Sequence, residues 1–154
     1  MAQRLALIKA KALPPSGSPS LAIAADTVVA IRDVVLGKPR DLQDARRMLR
    51  LLAGRTHDVI TAVALRVLPE DTITCERSVS HVTFAPMTSE EIDWYAGTGE
   101  GMDKAGAYAL QGIGALFIQS IEGSYTNVIG LPLERLYPHL RRSGLLPPSP
   151  PRGS

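Results

Sequence analysis

A run of ten residues near the N-terminus is almost uniformly apolar and small or β-branched, and it has one carboxylate close to its centre. The run extends from Leu21 to Ala30 and reads LAIAADTVVA. This composition predicts a β-strand that is covered on both faces. A charged carboxylate is costly to bury unless it is paired, hydrogen-bonded or bound to a metal. Asp26 is therefore a candidate functional residue, and a structural ion pair is the alternative interpretation.

Hydrophobic periodicity predicts the remaining elements. Helical spacing predicts helices over 2–13, 41–52 with Leu42 facing inward, 88–97, and from Pro132 to Leu140, where Pro138 should kink or split the helix. Alternating or continuous apolar residues predict strands at 34–36, 58–68, 78–86 and 115–121, and we expect 58–68 and 78–86 to be antiparallel neighbours. The order of these elements indicates an α/β protein with a mixed central sheet flanked by helices.

Length and composition limit the class of protein. The 154 residues are 45% hydrophobic and 21% charged, which is typical of one globular domain. We expect that domain over 1–144, followed by a disordered proline-rich tail over 145–154. The apolar runs are too short to span a membrane, no secretory signal opens the chain, and Cys75 is the single cysteine. We therefore expect a cytoplasmic protein without a structural metal site.

Charge is distributed unevenly along the sequence. Residues 1–77 carry 12 Lys and Arg against 8 Asp and Glu, whereas residues 78–154 carry 5 against 7. The net charge of +2 is too small to predict a nucleic-acid surface. A small anionic ligand fits this distribution better.

Several residues of suitable chemistry accompany Asp26. Lys38 lies between Gly37 and Pro39, where the backbone is restricted, and Gln111 lies in a glycine-rich segment with Asp103 and Lys104. Lys9, taken alone, is typical of a solvated helix face.

The glycines at 97, 99 and 101 do not predict a dinucleotide-binding loop. They follow a predicted helix, whereas such a loop follows a strand.

The order of short motifs resembles one known family. The motifs are Leu5-Ala6-x-x-Lys9-Ala10, Ala24-Ala25-Asp26-Thr27-Val28-Val29, Gly37-Lys38-Pro39, Ala45-x-x-Met48-Leu49-x-x-Leu52-x-Gly54-Arg55-x-His57, Gly99-Glu100, Asp103-Lys104-Ala105-Gly106-Ala107-Tyr108, Leu110-Gln111-Gly112 and Asn127-Val128-Ile129-Gly130-Leu131-Pro132-Leu133. Together they resemble the Maf family of nucleoside triphosphate pyrophosphatases, over about Leu5 to Leu140.

The resemblance implies a fold and an activity. The fold would be similar to that of inosine triphosphate pyrophosphatases, and the reaction would convert a nucleoside triphosphate to the monophosphate and pyrophosphate. The segments 104–108 and 110–112 resemble the branch acting on dTTP and UTP, so these and modified pyrimidine nucleotides are the implied substrates, in a house-cleaning role. A divalent cation, Mg²⁺ or Mn²⁺, is the implied cofactor, and the resemblance is consistent with a homodimer. The charge and the short apolar runs already argue against nucleic acid and membrane as partners.

The resemblance also assigns roles to individual positions. Asp26 matches the family's catalytic carboxylate and is its candidate metal ligand. Lys9 and Lys38 match phosphate-binding lysines, and ammonium groups can stabilise the charge that develops on phosphoryl oxygens. Gln111 matches a substrate-binding residue whose amide offers both a donor and an acceptor to a uracil or thymine base.

The sequence departs from the family pattern at two places. The Ser-x-Ser-Pro-Arg-Arg segment that precedes the matching region in the family, with its strand and helix, has no counterpart here, and Ser124 replaces a usual acidic residue. We expect that Met1 is an internal start and that the natural chain is longer at its N-terminus. Without the missing strand and helix, we expect one edge of the sheet to be uncovered. The alternatives are a catalytically crippled nucleotide-binding or interaction module and a non-functional fragment.

Overall fold

Five strands form one sheet, and helices flank it. The structure is a computed structural model that describes residues 1–15, 17–144 and 146. In chain order the elements are α1 (Ala2–Ala12), β1 (Ser20–Ile31), β2 (Val34–Leu36), α2 (Leu42–Leu52), β3 (Thr56–Leu68), β4 (Thr72–Phe84), α3 (Ser89–Gly97), two 3₁₀ turns (Ala105–Ala107 and Ile113–Phe117), β5 (Ile118–Glu122), α4 (Tyr125–Ile129) and α5 (Leu133–Ser143). The α/β class expected from the sequence is confirmed.

The sheet has the order β2-β1-β3-β4-β5, and each of these neighbouring pairs is antiparallel. The register between β1 and β3 runs from Ser20 opposite Leu68 to Ala30 opposite Asp58, and β3 then pairs with β4 as expected. β2 pairs only with residues 29–31 of β1. Within the described residues, positions 20–28 of β1 therefore have a neighbouring strand on one side only.

β1 is covered on both faces, as its composition predicted. On one face α1 packs through Ala2, Ala6 and Ala10, which are buried against Ala24, Val28, Ala62 and Ala64 of the sheet. Small residues at four-residue spacing allow the helix to approach the sheet closely. On the other face Val29 belongs to the main core, with Leu49 of α2, Phe84 of β4 and Tyr95 of α3.

Helix α2 begins where its capping residue predicts, because the Asp41 carboxylate accepts the Asp44 backbone N–H at 2.8 Å. The inward position expected for Leu42 is wrong: its side chain is 42% exposed because it lies in the first turn, before the helix reaches the core. The capping box of Thr88 and Glu91 at the start of α3 is present.

Three expectations near the C-terminus differ from the structure or cannot be compared with it. Residues 113–117, which overlap the predicted strand 115–121, form a 3₁₀ turn, and β5 begins at Ile118. Pro138 does not split α5, which continues from Leu133 to Ser143, and the proline lies on the exposed side of the helix. The tail predicted over 145–154 lies outside the described residues except Leu146, and no described helix is long and apolar enough to cross a membrane.

Candidate active site

A cavity of about 400 Å³ opens where β2 ends and the unpaired edge of β1 begins. A volume of this size is typical of small-molecule sites. Three lysines and two aspartates line it, so the formal charge of its walls is +1. The lining residues are Lys9, Ala25, Asp26, Thr27, Val29, Lys38, Val59, Asp103, Lys104, Ala105, Tyr108, Ala109, Leu110, Gln111, Val128, Ile129 and Gly130.

Asp26 and Lys9 form an ion pair at the mouth of the cavity. The Lys9 Nζ donates to Asp26 Oδ1 at 2.7 Å and to the Ala25 carbonyl oxygen at 3.2 Å. The Lys9 side chain is 53% exposed and that of Asp26 is 16% exposed. The carboxylate within the apolar strand is thus paired, as burial requires, and both groups still face the cavity.

A buried arginine fixes the helix that carries Lys9. The guanidinium Nη1 of Arg66 on β3 donates to the carbonyl oxygens of Ala10, Lys11 and Leu13 at 3.3, 3.4 and 2.7 Å. Carbonyls at the end of a helix lack partners within the helix, so the arginine satisfies them. This contact holds the C-terminal turn of α1, and with it Lys9, against the sheet.

Lys38 extends into the cavity from the segment that follows β2. The Gly37 carbonyl oxygen accepts the Gly106 N–H at 3.1 Å, which joins this segment to the glycine-rich loop. Lys9 is paired with Asp26 and Lys104 contacts Asp103 at 3.4 Å. Within residues 1–15, 17–144 and 146, Lys38 makes no ion pair, so its ammonium group is free to bind an anion.

A buried, hydrogen-bonded polar row extends behind Thr27, which lines the cavity. The hydroxyls of Thr27 and Thr61 are 2.8 Å apart, and Thr61 donates to the Asn127 carbonyl oxygen at 3.2 Å. The Asn127 amide nitrogen donates to the Val59 carbonyl oxygen at 3.0 Å and to Ser80 Oγ at 2.9 Å. The row fastens α4 to the sheet, so that the end of this helix lines the cavity.

Ser124 is the N-cap of α4, where the family pattern has an acidic residue. Its hydroxyl accepts the Asn127 N–H at 3.1 Å and donates to Glu134 Oε2 at 2.7 Å. Burial acts to raise the pKa of Glu134, but hydrogen bonds led by those of Ser78 and Ser124 outweigh it and lower the pKa. A carboxylate from α5 therefore approaches the position where the sequence lacks one.

Tyr108 forms part of the inner wall and rests on a buried histidine. Its hydroxyl lies 2.8 Å from His57 Nε2, and Phe84 packs edge-on against both rings. Burial lowers the pKa of His57 to about 4, although the charge of Asp58 acts in the opposite direction. The imidazole is consequently neutral at physiological pH.

We expect the free energy of unfolding to decrease as the pH falls from 6.5 to about 4, and to do so less steeply in a His57→Gln variant. In this window the unfolded chain binds the proton and the folded chain does not, so acid favours unfolding. The full difference is on the order of 3 kcal/mol. Urea denaturation at a series of pH values measures it. Identical slopes for wild type and His57→Gln would contradict the prediction.

The donor set fits a divalent cation only if a ligand supplies most of the oxygens. Within the described residues no group of three or more His, Cys, Asp or Glu side chains could hold a metal ion. At the cavity mouth Asp26 offers one carboxylate, and Lys9 occupies one of its oxygens. Mg²⁺ commonly binds through one or two carboxylates together with the phosphates of a nucleotide. A cation that arrives with phosphate oxygens would therefore fit this donor set.

The four residues selected from the sequence lie around this one cavity: Lys9, Asp26, Lys38 and Gln111. The sequence analysis did not select Tyr108, Thr27 or Asn127 individually, although all three stand in the quoted motifs. It also gave no role to Glu100, whose carboxylate bonds to the loop of Gln111. A glutamate between two glycines, or a single asparagine, does not reveal its hydrogen-bond partners in the sequence. Their roles become visible only when the folded structure shows those partners.

Comparison with known proteins identifies a family and several relatives. A family model described as "Maf-like protein" matches residues 1–143. Proteins named dTTP/UTP pyrophosphatase are among the relatives. The one from Anaeromyxobacter sp. (strain Fw109-5) is 51% identical over 127 residues, which are 80% of this chain and 62% of the relative.

Two further relatives with the same name extend the comparison. The Carboxydothermus hydrogenoformans protein is 53% identical over 122 residues, covering 79% of this chain and 66% of the relative. The Myxococcus xanthus protein is 46% identical over 151 residues, covering 98% and 74%. The chain thus spans between 62% and 74% of the length of these relatives.

Proposed function

Because the chain belongs to the Maf family, we propose that it hydrolyses a nucleoside triphosphate to the monophosphate and pyrophosphate. The observation that carries this proposal is one cavity lined both by the Lys9–Asp26 ion pair and by Lys38, which makes no ion pair within the part of the chain that the structure describes. A carboxylate can accept a proton from water, and two cations can bind polyphosphate. The same cavity is large enough for part of a nucleotide.

The reaction requires water to attack the α-phosphorus while the bond to the bridging oxygen of pyrophosphate breaks. In our proposal Asp26 orients the water and accepts its proton. Lys9 and Lys38 bind the phosphates and stabilise the negative charge that develops on the phosphoryl oxygens and the leaving pyrophosphate. Lys9 would also hold the Asp26 carboxylate in place.

A divalent cation, Mg²⁺ or Mn²⁺, belongs to this proposal as a companion of the triphosphate. When bound, such an ion neutralises phosphate charge and polarises the phosphoryl oxygens. Asp26 is the carboxylate that would hold it. Because that carboxylate is also paired with Lys9 at 2.7 Å, the lysine must share or yield an oxygen when the ion arrives.

The names of the relatives support dTTP and UTP as substrates. Gln111, at the exposed rim of the cavity, offers an amide that can pair with the edge of a uracil or thymine base. Modified pyrimidine nucleotides would fit the same contacts. We further propose a cytoplasmic homodimer that acts on free nucleotides and not on nucleic acid.

Hydrolysis in ¹⁸O-labelled water tests the reaction directly. The protein is incubated with dTTP, UTP, CTP, ATP and GTP in the presence of Mg²⁺ or Mn²⁺. The products are separated, and their masses are determined by mass spectrometry. Attack at the α-phosphorus places the label in the monophosphate and leaves pyrophosphate unlabelled. Release of orthophosphate, or label in pyrophosphate, would overturn the proposed bond cleavage. Nucleotide binding without turnover would favour the alternative of a crippled binding module.

Lys38→Met is expected to raise KM for the triphosphate by about tenfold to a hundredfold, because a charge-assisted contact to phosphate contributes roughly 1.5–3 kcal/mol. Methionine keeps an unbranched side chain of similar length and removes the charge. Initial rates over a range of nucleotide concentrations measure the change. The matched control is Lys11→Met, at an exposed position outside the cavity. Equal KM values for the two variants would exclude Lys38 from phosphate binding.

A further inference from the structure

The carboxylate of Glu100 does not line the cavity, yet it accepts three hydrogen bonds at the loop that carries Gln111. The donors are the Ile113 N–H at 2.8 Å, the Gly114 N–H at 2.9 Å and the Tyr95 hydroxyl at 2.7 Å. Burial acts to raise the pKa of Glu100, but these hydrogen bonds outweigh it and hold the pKa below its usual range. A charged carboxylate therefore fixes the start of the 3₁₀ turn after Gln111.

The Tyr95 hydroxyl fixes the same loop on the other side of Gln111. It accepts the Ala109 N–H at 3.1 Å while it donates to Glu100. The Tyr95 ring is buried in the main core, and burial raises the pKa of its hydroxyl, which stays protonated. The backbone is thus bonded two residues before Gln111 and two residues after it.

Two glycines allow the chain to come this close to Glu100 and Tyr95. A Cβ atom at Gly112, where φ is +152°, would lie 1.9 Å from Glu100 Oε1. A Cβ atom at Gly114 would lie 2.4 Å from the Ala109 carbonyl oxygen and 2.5 Å from the Tyr95 hydroxyl oxygen. The backbone positions of Gly112 and Gly114 are therefore determined by contact with Glu100, Tyr95 and Ala109.

Recognition of a pyrimidine base depends on where this backbone holds Gln111. Uracil presents a carbonyl acceptor beside an N–H donor, and cytosine presents an amino donor beside a ring acceptor. A glutamine amide can rotate to offer either pattern. Discrimination between the two bases therefore requires a fixed distance and direction between the amide and the bound base.

We propose that Glu100 and Tyr95 form a clamp that positions Gln111 and thereby sets the base preference of the enzyme. This inference rests on the proposed function, because it takes Gln111 to be the residue that contacts the base. Glu100 and Tyr95 are positioning residues in it, since neither touches the nucleotide. Lys9, Asp26 and Lys38 make no hydrogen bond to the clamp in the described structure, so we expect a change in the clamp to alter base preference more than phosphate chemistry.

The test uses Glu100→Gln and Tyr95→Phe, which keep side-chain size and remove one acceptor or one hydroxyl. We expect the ratio of kcat/KM for UTP to that for CTP to fall by about tenfold in each, while kcat for UTP changes by less than about threefold. The matched controls are Glu122→Gln and Tyr125→Phe, at exposed positions outside the cavity, and they should keep the wild-type ratio. An equal decrease in kcat/KM for UTP and CTP would contradict the proposal, because it would indicate a structural role without an effect on base preference.

Amide hydrogen exchange of the protein without nucleotide separates this inference from the proposed function. In both clamp variants, exchange at Ala109, Ile113 and Gly114 should accelerate by at least about tenfold, whereas exchange in β3 should not change. If the wild type hydrolyses no triphosphate and exchange still accelerates, the proposed function and the role in base preference fail, whereas the hold of Glu100 and Tyr95 on the loop stands. Unchanged exchange in both folded variants would overturn the clamp itself.

Discussion

Replacing Asp26 with asparagine is expected to lower kcat for pyrophosphate release by about 10³-fold, within the range that a positioned general base contributes. Asparagine preserves the size of the side chain but cannot accept the proton of the attacking water. The walls of the cavity become more positive by one charge, because Lys9 loses its partner at 2.7 Å. Affinity for a non-hydrolysable triphosphate analogue, measured without a divalent cation, should therefore stay the same or increase, while turnover in the presence of the cation decreases.

Steady-state kinetics and calorimetric titration with the analogue measure the two effects separately. Asp33→Asn is the matched control, because Asp33 lies in the exposed turn after β1 and outside the cavity. It should retain wild-type kcat. A decrease of less than about tenfold in Asp26→Asn would remove Asp26 as the base. A protein in which neither wild type nor variant turns over, although both bind the analogue, would be the binding module of the alternative hypothesis.

The sequence predicted Asp26 and the helix of Lys9 separately, but their pairing depends on tertiary packing. The carboxylate was conspicuous because its strand is apolar, whereas Lys9 alone resembled a solvated position. Their contact requires α1 to lie on β1 at close distance, which the small face of Ala2, Ala6 and Ala10 permits. Periodicity identifies such a face but does not indicate which strand it covers.

Strand β4 shows why the boundaries of elements were harder to predict. Its second half alternates buried and exposed residues, and the sequence predicted a strand there. Its first half, residues 72–77, is largely exposed or half-buried, yet it continues the ladder with β3 up to Thr72 opposite Val67. Backbone hydrogen bonds extend this strand without apolar side chains, so no hydrophobic pattern marks its beginning.

The segment before β5 was predicted wrongly because its structure depends on a residue that is distant in the sequence. The apolar run from Ala115 predicted a strand, but residues 113–117 form a 3₁₀ turn. Glu100, 13 residues earlier, bonds the N–H groups of Ile113 and Gly114 and starts that turn. A local pattern cannot include a partner so distant, which is also why the role of Glu100 was missed.

Gly101→Ala is expected to destabilise the protein by about 3 kcal/mol, the upper part of the range for overpacking, and to lower Tm by roughly 6–12 °C. A Cβ atom there would lie 2.0 Å from the Ala107 carbonyl oxygen and 2.8 Å from the Tyr108 nitrogen. Both are backbone atoms and cannot rotate away as a side chain could. The segment 104–108 must shift, so KM for the triphosphate should rise as well, because Lys104 and Tyr108 line the cavity.

Gly97→Ala provides the matched control four residues earlier. Gly97 ends α3, and a Cβ atom there has no heavy atom of another residue within 4 Å, apart from chain neighbours and the helix backbone. Alanine should leave stability unchanged or raise it by up to about 1 kcal/mol, because it restricts the unfolded chain. Thermal unfolding and nucleotide kinetics of the two variants measure the contrast. If Gly101→Ala unfolds at the same temperature as Gly97→Ala, the backbone contact between Gly101 and Ala107 does not determine the position of the cavity-lining segment 104–108.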